Sequence, residues 1–276
     1  MKQQVRILIV DDEPIIREVL QVAFEEQGWQ VMKADTGEDA LRRLEDSEFE
    51  VLVIDKNLPG MSGVDFIRHV RRRDRIVRIL LITAYGSVES AVETLNLGID
   101  AYLEKPFPNV YDVGRSVRVA LGRFDDRWLS DLAPGALGDA SQAPAVVTGG
   151  RNLTIVVGAP DERIRTWIAQ HLERRDSVET YATADEVLAA VRRRAPDLLI
   201  LEAVFTSPDT TELIALVRRA APRVACVVVS ETLPLGTIRA LIDLQVQALI
   251  DTKVDSDKLR RQIGELIGRL RTATGS

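Results

Sequence analysis

Between Val51 and Ile54 the chain carries four consecutive apolar residues, and the run stops on an acid, Asp55. A short β-branched run without alternation is buried on both faces, as strands of parallel sheets are. Similar runs near 5–10, 30–34, 50–54, 77–83 and 100–103 read as strands. Amphipathic stretches near 14–27, 37–46, 63–73, 87–97 and 109–123 read as helices. Ser62 and Ser87 mark helix starts, and Gly28 and Gly98 follow helix ends. Five βα units in series predict a parallel sheet covered on both faces, with right-handed crossovers.

From about Asp125 this pattern stops. Residues 125–151 are rich in Ala, Gly, Pro and Ser and read as a flexible linker, although Phe124 and Trp128 hint that the preceding helix runs on. The pattern then returns, with strands near 153–157, 178–182, 197–202, 223–229 and 247–250. Helices follow them near 162–174, 184–194, 209–220, 236–244 and 256–271. An offset of 147 residues takes Asp55 to Glu202, Thr83 to Ser230, Glu50 to Asp197 and Ala101 to Ala248. The chain therefore reads as a tandem duplication, with domains at 1–124 and 152–276.

Composition fits this. The length of 276 residues suits two domains, and 46% apolar with 28% charged residues is ordinary for globular cores. The 36 basic and 42 acidic residues give a net charge of −6, which argues against a nucleic-acid module. The runs Arg71-Arg72-Arg73 and Arg192-Arg193-Arg194 end predicted helices and read as solvated ends complementing the helix dipole. Cys226, the single cysteine, lies in an apolar run and reads as a buried strand residue. His69 and His171 lack the spacing of a zinc site. With no signal peptide or membrane span in view, the expected location is the cytoplasm.

The polar residues that close the first-half strands share one sheet edge, where open α/β sheets place their chemistry. They are Asp11 and Asp12, Asp55, Thr83, and Lys105 with Pro106. Carboxylates, a hydroxyl and an ammonium around one point suit Mg²⁺-dependent phosphoryl acceptance, because a carboxylate attacking phosphorus needs a cation to offset charge repulsion. Taken singly, each residue has a plainer reading. Asp11-Asp12 could cap a helix, Thr83 could be a loop hydroxyl, and Tyr102 could pack against the sheet.

The stretches Ile7-Leu8-Ile9-Val10-Asp11-Asp12-Glu13, Asp55-Lys56-Asn57-Leu58-Pro59-Gly60-Met61-Ser62-Gly63, Ile82-Thr83-Ala84 and Tyr102-Leu103-Glu104-Lys105-Pro106 occur in that order. Residues 5–124 thereby resemble a two-component response-regulator receiver domain. The resemblance implies a flavodoxin-like (βα)5 fold and Asp55 as phosphoacceptor, served by a histidine kinase or phosphotransfer protein. It implies Mg²⁺ held by Asp12, Asp55 and the backbone carbonyl of Asn57, with Asp11 acting mostly through water. Lys105, aimed by a cis bond to Pro106, and Thr83 would meet the phosphoryl oxygens. Tyr102 would be a switch coupled to Thr83, and the 84–124 face would pair with a partner or a second copy.

The second half, about 152–271, reads as a degenerate receiver, or pseudo-receiver. Gly158 and Ala159 replace the acidic pair, Glu202 replaces the acceptor, Ser230 keeps the hydroxyl, and Thr252 stands in the lysine position. A degenerate site rebuilt from Asp161 and Lys253 is the competing reading. The expectation is a stand-alone signalling protein, not a conventional enzyme, acting through protein contacts with its second domain as adaptor or dimerisation module. No nucleic-acid or membrane partner is expected. The alternative is the front end of a longer output protein, such as a diguanylate cyclase or DNA-binding regulator.

Overall fold

The computed structural model describes residues 5–74, 76–122, 152–172, 175–251 and 256–272. The expected linker at 125–151, with Phe124 and Trp128, and the residues Thr252 and Lys253 lie outside them. The chain divides into two compact units, one holding the described residues up to 122 and the other those from 152 onward.

In the first unit the strands are β1 (Arg6–Val10), β2 (Gln30–Ala34), β3 (Val51–Asp55), β4 (Arg78–Thr83) and β5 (Ala101–Glu104). The helices are α1 (Pro14–Glu25), α2 (Gly37–Asp46), α3 (Gly63–Arg73), α4 (Val88–Asn96) and α5 (Tyr111–Gly122). All strand pairs are parallel, in the order β2-β1-β3-β4-β5. This is the flavodoxin-like doubly wound order, and its reversal beside β1 opens a crevice at the carboxyl edge between β1 and β3.

The local signals act as expected. Ser62 and Ser87 accept hydrogen bonds from the Asp65 and Ser90 amides at the first turns of α3 and α4. Gly28 and Gly98 have φ of 78° and 71°, where a Cβ would be strained. Strands β3 and β4 are buried throughout, which explains their continuous apolar sequence. Their Val53 and Leu80 share a core with Ile7 and Ile9 of β1, Phe24 of α1 and Val117 of α5.

The second unit repeats the plan. Strands β6 (Thr154–Gly158), β7 (Ser177–Tyr181), β8 (Leu198–Glu202), β9 (Ala225–Ser230) and β10 (Ala248–Asp251) pair in parallel in the order β10-β9-β8-β6-β7. Helices α6 (Glu162–Gln170), α7 (Ala184–Arg193), α8 (Thr210–Ala220), α9 (Leu235–Asp243) and α10 (Ser256–Thr272) cover it. Cys226 is a buried strand residue whose thiol is pushed up by burial.

Arg71 corrects the reading of its run as a solvated helix end. It is 2% exposed, and its guanidinium donates to the carbonyls of Val77 (2.7 Å), Gly98 (2.8 Å) and Leu97 (3.3 Å). Burial lowers its pKa to about 10. Arg218 makes the matching bonds in the second unit, to Val224, Gln245 (2.7 Å) and Leu244 (3.1 Å). Gln245 takes the positive φ of Gly98, at 54°. Each arginine, buried at Arg71 and half-buried at Arg218, staples the end of one helix to the loops that enter the fourth and fifth strands of its unit. The Arg192–Arg194 run is exposed, as expected.

Sheet register corrects a second expectation. The offset of 147 holds for β3, β4 and β5, but β1 matches β6 with one residue more, since Val10 pairs with Ala34 where Gly158 pairs with Tyr181. Two loop bonds agree. The Asp11 amide donates to Ala34 as the Ala159 amide does to Tyr181. Arg17 donates to the Asp11 carbonyl as Arg165 does to that of Ala159. Gly158 thus corresponds to Val10, and the counterparts of Asp11 and Asp12 are Ala159 and Pro160.

Candidate active site

The carboxyl ends of β1, β3 and β5 bring Asp11, Asp55 and Lys105 to one place. Asp11 follows β1 and is fully buried, with its Oδ1 accepting the Glu13 amide at 2.9 Å. Asp55 ends β3, and its Oδ1 accepts the Asn57 amide at 2.9 Å. Gly63 permits this turn, because a Cβ there would lie 2.1 Å from the Asp55 carbonyl oxygen. The Asp11, Asp12 and Asp55 side chains each offer an oxygen, all within 4.8 Å of one another.

Lys105 follows β5 across a cis peptide to Pro106, as expected from the sequence. Its Nζ lies 2.5 Å from Asp55 Oδ2, 2.8 Å from Asp11 Oδ2 and 2.9 Å from Glu13 Oε1. The contacts to Asp55 and Glu13 are hydrogen bonds. That to Asp11 Oδ2 is an ion pair without hydrogen-bond alignment, so this buried oxygen has a charge partner but no hydrogen bond. Burial raises the Asp11 pKa, with the Lys105 contact opposing it. For Lys105, burial pulls the pKa down, but its contacts with the Asp11, Asp55 and Glu13 carboxylates outweigh it and hold the ammonium above its ordinary value.

The set fits a hard divalent cation. Its donors are all carboxylate oxygens, one lacks a hydrogen bond, and Asp12 opens the cluster to solvent. The helix-cap reading is met only in part: the N-cap of α1 is Glu13, while Asp11 accepts its amide.

Thr83 ends β4 and is buried, with its hydroxyl bonded to the Tyr85 carbonyl at 3.1 Å. Tyr102 lies inward on β5, its hydroxyl 2.9 Å from Ser90 Oγ on α4. Glu13, the third acid of the run Asp11-Asp12-Glu13, also reaches Lys105, and that unbroken acidic run is its only local signal in the sequence.

In the second unit Glu202 ends β8 as Asp55 ends β3. It is 6% exposed, its Oε2 is buried without a hydrogen bond, and burial pushes its pKa up. Ser230 donates to the Thr232 carbonyl at 3.2 Å, repeating the bond of Thr83 to Tyr85. Asp161 caps α6, and its bonds to Arg163 hold it at about 2. Among the described residues, the three-acid cluster belongs to the first unit alone.

Residues 7–111 match the family model of the response regulator receiver domain. The probable transcriptional regulatory protein TcrX of Mycobacterium tuberculosis is 35% identical over 50% of this chain and 58% of its own length. The two-component response regulator PhoP of Pseudomonas aeruginosa is 40% identical over 37% of this chain and 45% of its own. The chain thus spans about half the length of these curated relatives. The chemotaxis response regulator CheY4 of Vibrio cholerae is 28% identical, with a TM-score of 0.41 over 43% of this chain and 99% of that one. A CheY-like receiver domain protein from Methanospirillum hungatei is 30% identical, with a TM-score of 0.41 over 45% of this chain and 97% of that one. Ordered acids, hydroxyl and lysine at one sheet edge agree with the family match: residues 7–111 form a response regulator receiver domain.

Proposed function

We propose that the chain is a phosphorylation-controlled signalling protein in which Asp55 accepts a phosphoryl group from a histidine kinase or phosphotransfer protein. The observation that carries this is Lys105, whose ammonium reaches Asp55 and Asp11 beside the solvent-open carboxylate of Asp12. An Asp55 carboxylate oxygen attacks phosphorus. The bond from phosphorus to the donor nitrogen breaks, and the leaving imidazole keeps the bonding pair and takes up a proton. Mg²⁺, when bound, offsets the charge that builds between carboxylate and phosphoryl oxygens. Asp12, Asp55 and the Asn57 carbonyl would hold it, with Asp11 acting through water.

Lys105 gives up its contact with Asp55 to a phosphoryl oxygen, and Thr83 exchanges its bond to Tyr85 for another. Tyr102 and Ser90 link that exchange to α4, so a charge event biases the 84–124 face toward a downstream partner or a second copy. The reaction is confined to the protein's own phosphorylation and dephosphorylation.

In this reading residues 1–124 are the receiver, 125–151 the linker and 152–276 a pseudo-receiver serving as adaptor or dimerisation module. The common strand order and the Arg71 and Arg218 staples support descent of both units from one design. Ala159 and Pro160 in place of the acids support loss of the reaction in the second. The test is incubation with acetyl phosphate and Mg²⁺ followed by peptide mapping. Label is expected on Asp55 alone and absent in Asp55→Asn; substantial label beyond residue 151 would overturn the assignment.

A further inference from the structure

We propose that Glu13 is a positioning residue for Lys105, and that its negative charge restrains phosphoryl transfer by competing for the ammonium an incoming phosphoryl group needs. This rests on the reading of Asp55 as phosphoacceptor.

A lysine ammonium has three protons to donate. Here three carboxylates surround it, at 2.5 Å (Asp55), 2.8 Å (Asp11) and 2.9 Å (Glu13). The three are not equivalent. Asp11 and Asp55 are buried, and each is fixed by a loop amide. The Glu13 side chain is 57% exposed and is not a member of the three-acid cluster. Its charge is therefore spent on the lysine.

A phosphoryl group arriving at Asp55 brings oxygens that require that ammonium, and Glu13 is the contact that can yield by swinging into solvent. Until it does, it occupies one donor and places a further negative charge beside the entry path. An exposed ion pair of this kind is worth up to about 1 kcal/mol, or roughly fivefold in rate. Screening by salt should erase most of that, because the competing carboxylate faces water.

The experiment measures initial phosphorylation rates of the full chain with acetyl phosphate and Mg²⁺, at low and high ionic strength. In this reaction Asp55 attacks phosphorus, the bond between phosphorus and the acetyl oxygen breaks, and acetate leaves with the electron pair. Glu13→Gln keeps length and an acceptor oxygen but removes the charge. Its rate should rise severalfold, up to about fivefold, at low salt and converge on wild type at high salt. Glu13→Asp keeps the charge and should stay within about twofold of wild type. Equal rates for Glu13→Gln and wild type, or a ratio indifferent to salt, would overturn the inference while leaving Asp55 as acceptor. A wild-type chain that takes no label would overturn both.

Discussion

Arg71→Ala should destabilise the first unit far more than a surface substitution would. The side chain makes two short charge-assisted bonds, to Val77 (2.7 Å) and Gly98 (2.8 Å), and a longer one to Leu97 (3.3 Å). Such bonds contribute about 1.5–3 kcal/mol each when the donor is charged and the acceptor would otherwise be left buried. Taking the low end for the short pair and less for the third gives about 4 kcal/mol. Against a typical domain stability of about 5–15 kcal/mol, that leaves the unit marginal. With urea slopes of about 1–3 kcal/mol per molar, the midpoint should fall by roughly 1.3–4 M. Arg218→Ala should do the same to the second unit, because its bonds match one for one. Urea unfolding followed by amide exchange and peptide analysis reads the two units separately. Peptides covering 77–100 should lose protection first in the Arg71 variant, and those covering 224–247 in the Arg218 variant. Arg71→Lys should not rescue, since one ammonium cannot reproduce a fork spanning two loops. A midpoint shift below about 0.5 M for Arg71→Ala would show that these bonds are energetically idle and refute the reasoning.

Two other perturbations probe the sheet edges. Lys105→Met leaves three carboxylates facing one another, so its melting temperature in chelator should drop, by about 3 kcal/mol in stability. Added Mg²⁺ should then raise it more than it raises wild type, and equal Mg²⁺ responses would contradict this picture. Glu202→Gln tests the buried acid of the second unit. A carboxyl whose folded pKa is raised contributes stability below its unfolded value, near 4.5, and loses it as pH rises through the folded value. Removing the ionisable group should therefore stabilise the second unit at pH 7 and bring no such gain near pH 4. Denaturation at both values decides, and an equal effect at each would show that ionisation of Glu202 is not the cause.

Much of this protein follows from local sequence. Continuous apolar runs such as Val51–Ile54 mark doubly covered strands, and Ser62, Ser87, Gly28 and Gly98 act on the backbone within a few residues of themselves. The order of acids, hydroxyl and lysine was also legible, because each closes a strand and all strand ends of a parallel sheet share one edge. Tertiary structure decided the rest. The Arg71 run looks like a solvated helix end, and only the fold brings the carbonyls of Val77, Leu97 and Gly98 around its first guanidinium. A one-residue difference in the link between β6 and β7 is invisible to a repeat read at constant offset, yet it moves the lost acids from Gly158 and Ala159 to Ala159 and Pro160. Glu13 gained its place on Lys105 the same way, across 92 positions of sequence. Periodicity reports which face of an element is buried. Partners contributed by distant loops depend on register and crossovers, which are properties of the assembled sheet.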